Sequence, residues 1–147
     1  MRRSAAAIAV IRRQENGQTL WLAQWNEGWE GFHFVGGHKY TGESFLECVA
    51  REITEELGLS SDKFVVSENP LAQVSYIARS RSAQEDTLYT MELFEVQLCD
   101  TAVPRVNSDP KNRWLTERDI RQQHCEDGTA VSPTMLLFFT EAGLWAE

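Results

Sequence analysis

Basic residues, cysteine, proline and long apolar runs are all scarce in this sequence, and each scarcity excludes something. Fourteen Lys and Arg stand against twenty-two Asp and Glu, a formal charge of -8. That surplus opposes loose attraction to nucleic acid or anionic lipid, so neither partner is expected, and an anionic ligand would need cations to join it. The longest unbroken apolar run, Ala5 to Ile11, has seven residues, against the roughly twenty of a membrane-spanning helix. Arg2 and Arg3 precede that run as in a secretory signal, but Arg12, Arg13, Gln14 and Glu15 follow at once without a small-residue cleavage site. A strand in a cytoplasmic protein is the expectation. Cys48, Cys99 and Cys125 are odd in number and widely spaced, which indicates neither a disulfide framework nor a zinc site. With 147 residues, four prolines and no repeat or linker, one domain spanning 1–147 is expected.

What is present reads as alternating strands and helices. Segments 4–13 and 19–25 are β-prone and flank Asn16-Gly17, a strong hairpin signal. A short strand over 32–35 is then broken by Gly36-Gly37, where close backbone approach is expected. Ser44 with Glu47 three residues on forms a capping box, and Gly58 stands at a C-cap position, so 45–57 is a helix. Strands are expected over 64–66, 73–78, 87–98 and 114–115. Between the last two, 100–112 reads as a polar loop with two prolines. Thr116 caps a short helix to about Gln123, and Ser132-Pro133 opens a final helix ending near Gly143.

On the 45–57 helix, Leu46, Val49, Ala50, Ile53 and Leu57 make one apolar stripe. Glu52, Glu55 and Glu56 fall on the adjoining sector, because spacings of three and four share a helix face. At roughly 6 Å and an effective dielectric near 20, each carboxylate pair repels by about 3 kcal/mol, and Arg51 alone cannot neutralise three. A solvated acidic face is the ordinary explanation of such a cluster. Hard oxygen donors on a rigid element beside a Gly-Gly turn also suit magnesium or manganese, which share their remaining positions with substrate phosphates. Divalent ions of that kind would let a net acidic protein bind a polyphosphate.

Residues 37–59, GHKYTGESFLECVAREITEELGL, resemble the Nudix box at every fixed position: Gly37, Glu43, Arg51, Glu52, Ile53, Glu55, Glu56, Gly58 and Leu59. The resemblance implies an α/β fold of the Nudix type, an α/β/α sandwich with a mixed central sheet. It implies a divalent-metal-dependent pyrophosphohydrolase that cleaves a nucleoside diphosphate linked to another moiety, by attack of a metal-activated water on phosphorus. It implies Mg2+ or Mn2+ held by Glu52, Glu55, Glu56 and the Gly37 carbonyl, with Glu52, Arg51 and Glu43 as catalytic or orienting residues and Glu52 first among general bases. A small nucleotide is the expected partner, and a homodimer is compatible with the family. The alternative is a Nudix-fold module that senses nucleotides without turnover.

Outside the box, Trp29, Tyr40, Tyr76 and Arg79 are candidate substrate-binding residues, with Arg81 beside the last in a loop over the cleft. Tyr76 lies 17 residues past Leu59, similar to a tyrosine offset in members that cleave dinucleoside polyphosphates. His33 and His38 flank the glycine turn, and Asp109 is a loop acid where some members place a further ligand. Two positions depart from the common pattern. Val35 stands where many members have proline, and Gln24-Trp25 stand where many have arginine.

Overall fold

The computed structural model describes residues 1–80 and 82–146. Asn16 and Gly17 take φ values of 52° and 77°, the left-handed region that these two residues tolerate and a tight hairpin needs. The turn joins β1 (Arg2–Glu15) to β2 (Gln18–Asn26), paired antiparallel from Arg12↔Trp21 to Glu15↔Gln18. There follow β3 (Gly31–His33), β4 (Gly36–His38), α1 (Phe45–Leu57), β5 (Phe64–Val66), β6 (Ala72–Arg79) and β7 (Asp86–Leu98). The chain ends with α2 (Val103–Ser108), β8 (Asn112–Leu115), α3 (Glu117–Gln122) and α4 (Thr134–Glu141). The strands form one sheet in the order β3-β2-β1-β7-β5, with β4 also on β1, β6 also on β7 and β8 also on β2. It is mixed because β1 and β7 run parallel, from Arg2↔Thr87 to Ile11↔Val96.

The apolar run in β1 is continuous because both faces of that strand are covered. Ala6, Ile8 and Val10 face one core with Phe34, Ile120, Met135, Phe138 and Phe139. Ala7, Ala9 and Ile11 face the other, with Val49, Ile53 and Leu57 of α1 and Val106 of α2. Burying one Ile or Phe is worth about 1.5–3 kcal/mol, so this strand, shared by both cores, is the axis of an α/β/α sandwich.

Four local expectations are corrected. The stretch 100–112 contains α2, which Pro104 permits because it stands in the first turn, and whose Val106 is fully buried. Gly36-Gly37 does not end strand structure but begins β4. Ser132 is not the cap residue of α4; Pro133 is, and the Ser132 hydroxyl accepts from Thr134 N at 3.3 Å. On α1 the buried seam is turned toward Cys48 and Glu52, leaving Leu46 and Ala50 only partly buried.

Candidate active site

Two glycines bring the sheet and α1 together. A Cβ on Gly36 would stand 2.3 Å from the Ala7 carbonyl oxygen, and one on Gly37 would stand 2.5 Å from Glu52 Oε1. The first contact lets β4 lie on β1, through Ala6↔His38, Ala7↔Gly37 and Ile8↔Gly36. The second brings the Glu52 carboxylate against the backbone. α1 is held at both ends: Ser44 and Glu47 make the capping box, and Gly58 at φ 66° closes the C-terminus. Gln24 Nε2 donates to the Glu56 carbonyl at 3.1 Å and to Asn112 Oδ1 at 3.0 Å. At this position, where the family pattern often has arginine, Gln24 anchors the last turn of the helix.

Arg51 is the hub of the acidic cluster. Its Nε donates to Glu43 Oε2 at 2.7 Å, and one terminal nitrogen donates to Glu52 Oε1 at 2.9 Å and Glu55 Oε2 at 3.2 Å. The other donates to Glu43 Oε1 at 3.0 Å and the His38 carbonyl at 2.9 Å. Tyr40 is exposed and lies over the guanidinium, 3.7 Å from ring centroid to Cζ. The hydrogen bonds from Arg51 hold the Glu43 carboxyl down to about 2, with help from the Tyr40 N–H. Burial pushes Glu52 the other way, above the usual carboxylate range, against the pull of Arg51. Cys48 Sγ donates to the Gly37 carbonyl at 3.5 Å, and burial raises its thiol to about 11. Cys48 was not among the sequence candidates, although its spacing of four from Glu52 places both on one helix face.

Glu55 and Glu56 flank Glu52 on α1, Glu55 exposed and Glu56 half-buried. Three carboxylates, Glu43, Glu52 and Glu55, thus share one guanidinium, with Glu56 beside them on α1. Among the described residues no group of three or more His, Cys, Asp or Glu side chains is arranged to hold a metal ion; Glu52 and Glu55 instead pair with a single nitrogen of Arg51. The donors at hand, carboxylate oxygens and the Gly37 carbonyl, suit a hard divalent ion such as magnesium or manganese.

Gly37 also lines a cleft of about 450 Å³ together with Trp29, Tyr76, Tyr89, Arg79 and His38. Trp29 stacks on His33 at 4.6 Å, and Tyr76 stacks on Tyr89 at 5.3 Å. His33 is buried, donates Nδ1–H to the Phe34 carbonyl at 2.8 Å, and is held down to about 4 by burial. His38 meets Ser4 Oγ at 3.1 Å. Trp29, Tyr76 and Arg79 therefore share the cleft, whereas Tyr40 covers Arg51 and is not among the cleft-lining residues. Arg81 lies outside the described residues. Asp109 accepts from Lys111 N at 2.9 Å within its own turn. Asn26, Thr134 and Arg2 also line the cleft; their scattered positions carried no motif that would have singled them out.

The fold is shared with proteins of known structure. C. elegans Ap4A hydrolase matches with a TM-score of 0.64 at 19% identity, over 99% of this chain and 100% of that one. The MutT protein of Methanosarcina mazei Go1 matches at 0.61 and 19% identity, over 97% and 94%. Shewanella oneidensis NrtR, in complex with a 27mer DNA, matches at 0.65 and 15% identity over 94% of this chain, which spans only 59% of that protein. Residues 1–135 match the NUDIX domain family, in agreement with the box on β4 and α1, and the chain belongs to that family.

Proposed function

We propose that this chain is a divalent-metal-dependent hydrolase that cleaves the pyrophosphate linkage of a nucleoside diphosphate joined to another moiety. The observation that carries the reading is the position of Gly37, which lines the aromatic cleft and also touches the Glu52 carboxylate. A ligand in the cleft would lie beside the acidic cluster. Glu52, Glu55, Glu56 and the Gly37 carbonyl would hold Mg2+ or Mn2+. When bound, the ion supplies Lewis-acid charge between carboxylates and phosphates that would otherwise repel. Arg51 and Glu43 orient the carboxylates from behind, and Glu52, whose buried carboxyl is shifted toward neutrality, is the first choice as proton acceptor. Trp29 and Tyr76 offer aromatic faces to a base. Tyr40 acts on Arg51 through its ring.

The name of one neighbour, an Ap4A hydrolase, supports a nucleotide substrate. The DNA complex of NrtR does not carry over, because a chain of charge -8 repels a phosphate backbone. No described helix is long and apolar enough to cross a membrane. The test is product release from a panel of nucleoside diphosphate derivatives with magnesium or manganese, with EDTA, and with Glu56→Gln. Turnover of a panel member should stop in EDTA and fall by about 100-fold or more in the variant. Tight nucleotide binding by calorimetry without turnover of any member would instead establish a sensing module.

A further inference from the structure

Strand β6 is an edge that lacks the usual protections. Among the described residues it is bonded only to β7, from Ala72↔Leu93 to Arg79↔Asp86. Natural edge strands are blunted by charges, prolines or bulges, yet Ala72–Ala78 reads AQVSYIA, with no charge, proline or glycine. Ser80 N donates to the Glu85 carbonyl. Alternation along an antiparallel ladder then assigns the residue pairs 78/87, 76/89 and 74/91 as the bonded ones. The backbone N–H and C=O groups of Gln73, Ser75, Ile77 and Arg79 consequently point away from β7. The side chains of the same four residues are exposed, Ile77 at 59%.

We propose that β6 pairs antiparallel with β6 of a second copy of this chain, about a two-fold axis at Tyr76. One register uses all four outward residues: Gln73 opposite the partner's Arg79, and Ser75 opposite the partner's Ile77, each pair occurring twice by symmetry. Every pair exchanges two N–H···O bonds. The charges agree with this register. Arg79 is the single charged residue of β6, and Gln73 Nε2 donates to Glu92 Oε2 at 3.1 Å. Each Arg79 therefore meets the Gln73–Glu92 pair of the partner on the same face, an opposite-charge contact made twice. Slipping the register by two residues loses a backbone pair and separates these charges. On the other face Tyr76 meets the partner's Tyr76, an aromatic cross-strand pair. Since Tyr76 lines the cleft, the two clefts adjoin across the axis. None of this depends on the chain being a hydrolase.

The test is mass by light scattering over a wide concentration range, with amide exchange measured by NMR. The wild-type mass should rise toward twice the 16.8 kDa of one chain, and the amides of Gln73, Ser75, Ile77 and Arg79 should become protected in step with it. Ser75→Pro removes an outward N–H that the β6–β7 ladder does not use, and Ile77→Lys adds a charge beside the axis. Each should weaken the dimer at least tenfold while circular dichroism stays native. Should Ser75→Pro fail to fold, Ile77→Lys decides alone. A chain that stays monomeric at every concentration, a dimer insensitive to the folded variants, or fast exchange of these amides in the dimer would each overturn the proposal.

Discussion

At the scale of single residues the site depends on one missing side chain. Gly37→Ala would place a Cβ 2.5 Å from Glu52 Oε1, closer than atoms can pack, so the carboxylate must leave its place between Gly37 and Arg51. The expected outcome is a loss of turnover of about 100-fold with little change in the circular dichroism spectrum. His33 makes a second prediction, on stability. Burial holds its folded pKa at about 4, below the ordinary 6.5, so between these values the unfolded chain binds a proton that the folded chain does not. Stability contributed by the neutral ring is complete above pH 6.5 and is lost as pH falls through 4, to a limit of about 3 kcal/mol. Urea melts across that window should show the slope, and His33→Phe should flatten it relative to wild type. Glu52, Glu55, Glu56 and Arg51 were legible in the sequence because their spacing is helical and local, and Glu43 because it holds a fixed place in the box. The ring of Tyr40 over Arg51, and the thiol of Cys48 on Gly37, were not, since each joins residues from different elements.

At the scale of elements, α1 carries the acidic cluster and its ends set where the cluster sits. Ser44 Oγ accepts from Glu47 N at 3.0 Å while Glu47 Oε1 accepts from Ser44 N at 2.9 Å. Ser44→Ala removes the first of these bonds and should cost about 1 kcal/mol, or roughly 2–4 °C in the thermal midpoint. Differential scanning calorimetry measures it. Capping chemistry of this kind is readable from sequence, as are the Asn16-Gly17 turn and the long strands around it. The short α2 was missed because Pro104 and the polar residues around Val106 read as a loop, and only burial of Val106 against the sheet makes the turn of helix worth forming. β4 was missed because paired glycines ordinarily break a strand. Here they permit pairing with β1 that a side chain would block.

At the scale of the whole molecule, the two cores meet on β1. Ile8 belongs to one and Ile11 to the other, so neither helical layer can separate without exposing the same strand. Unfolding in urea should be a single transition, with tryptophan fluorescence, reporting Trp21 in one core and Trp114 beside the other, coincident with far-UV circular dichroism. Two separated transitions would show that the layers melt independently.

By itself the sequence determined the helix that bears the carboxylates, through periodicity and capping, and the family with the class of fold that its resemblance implies, through fixed spacings within 23 consecutive residues. Tertiary structure alone decided which carboxylate is buried, which residues share the cleft with Gly37, and that β6 is left open at the edge of the sheet. Those facts depend on contacts between segments as distant as Gln24 and Asn112 or Trp29 and Tyr89. Such contacts are set by how two cores pack around β1, and no local pattern encodes them.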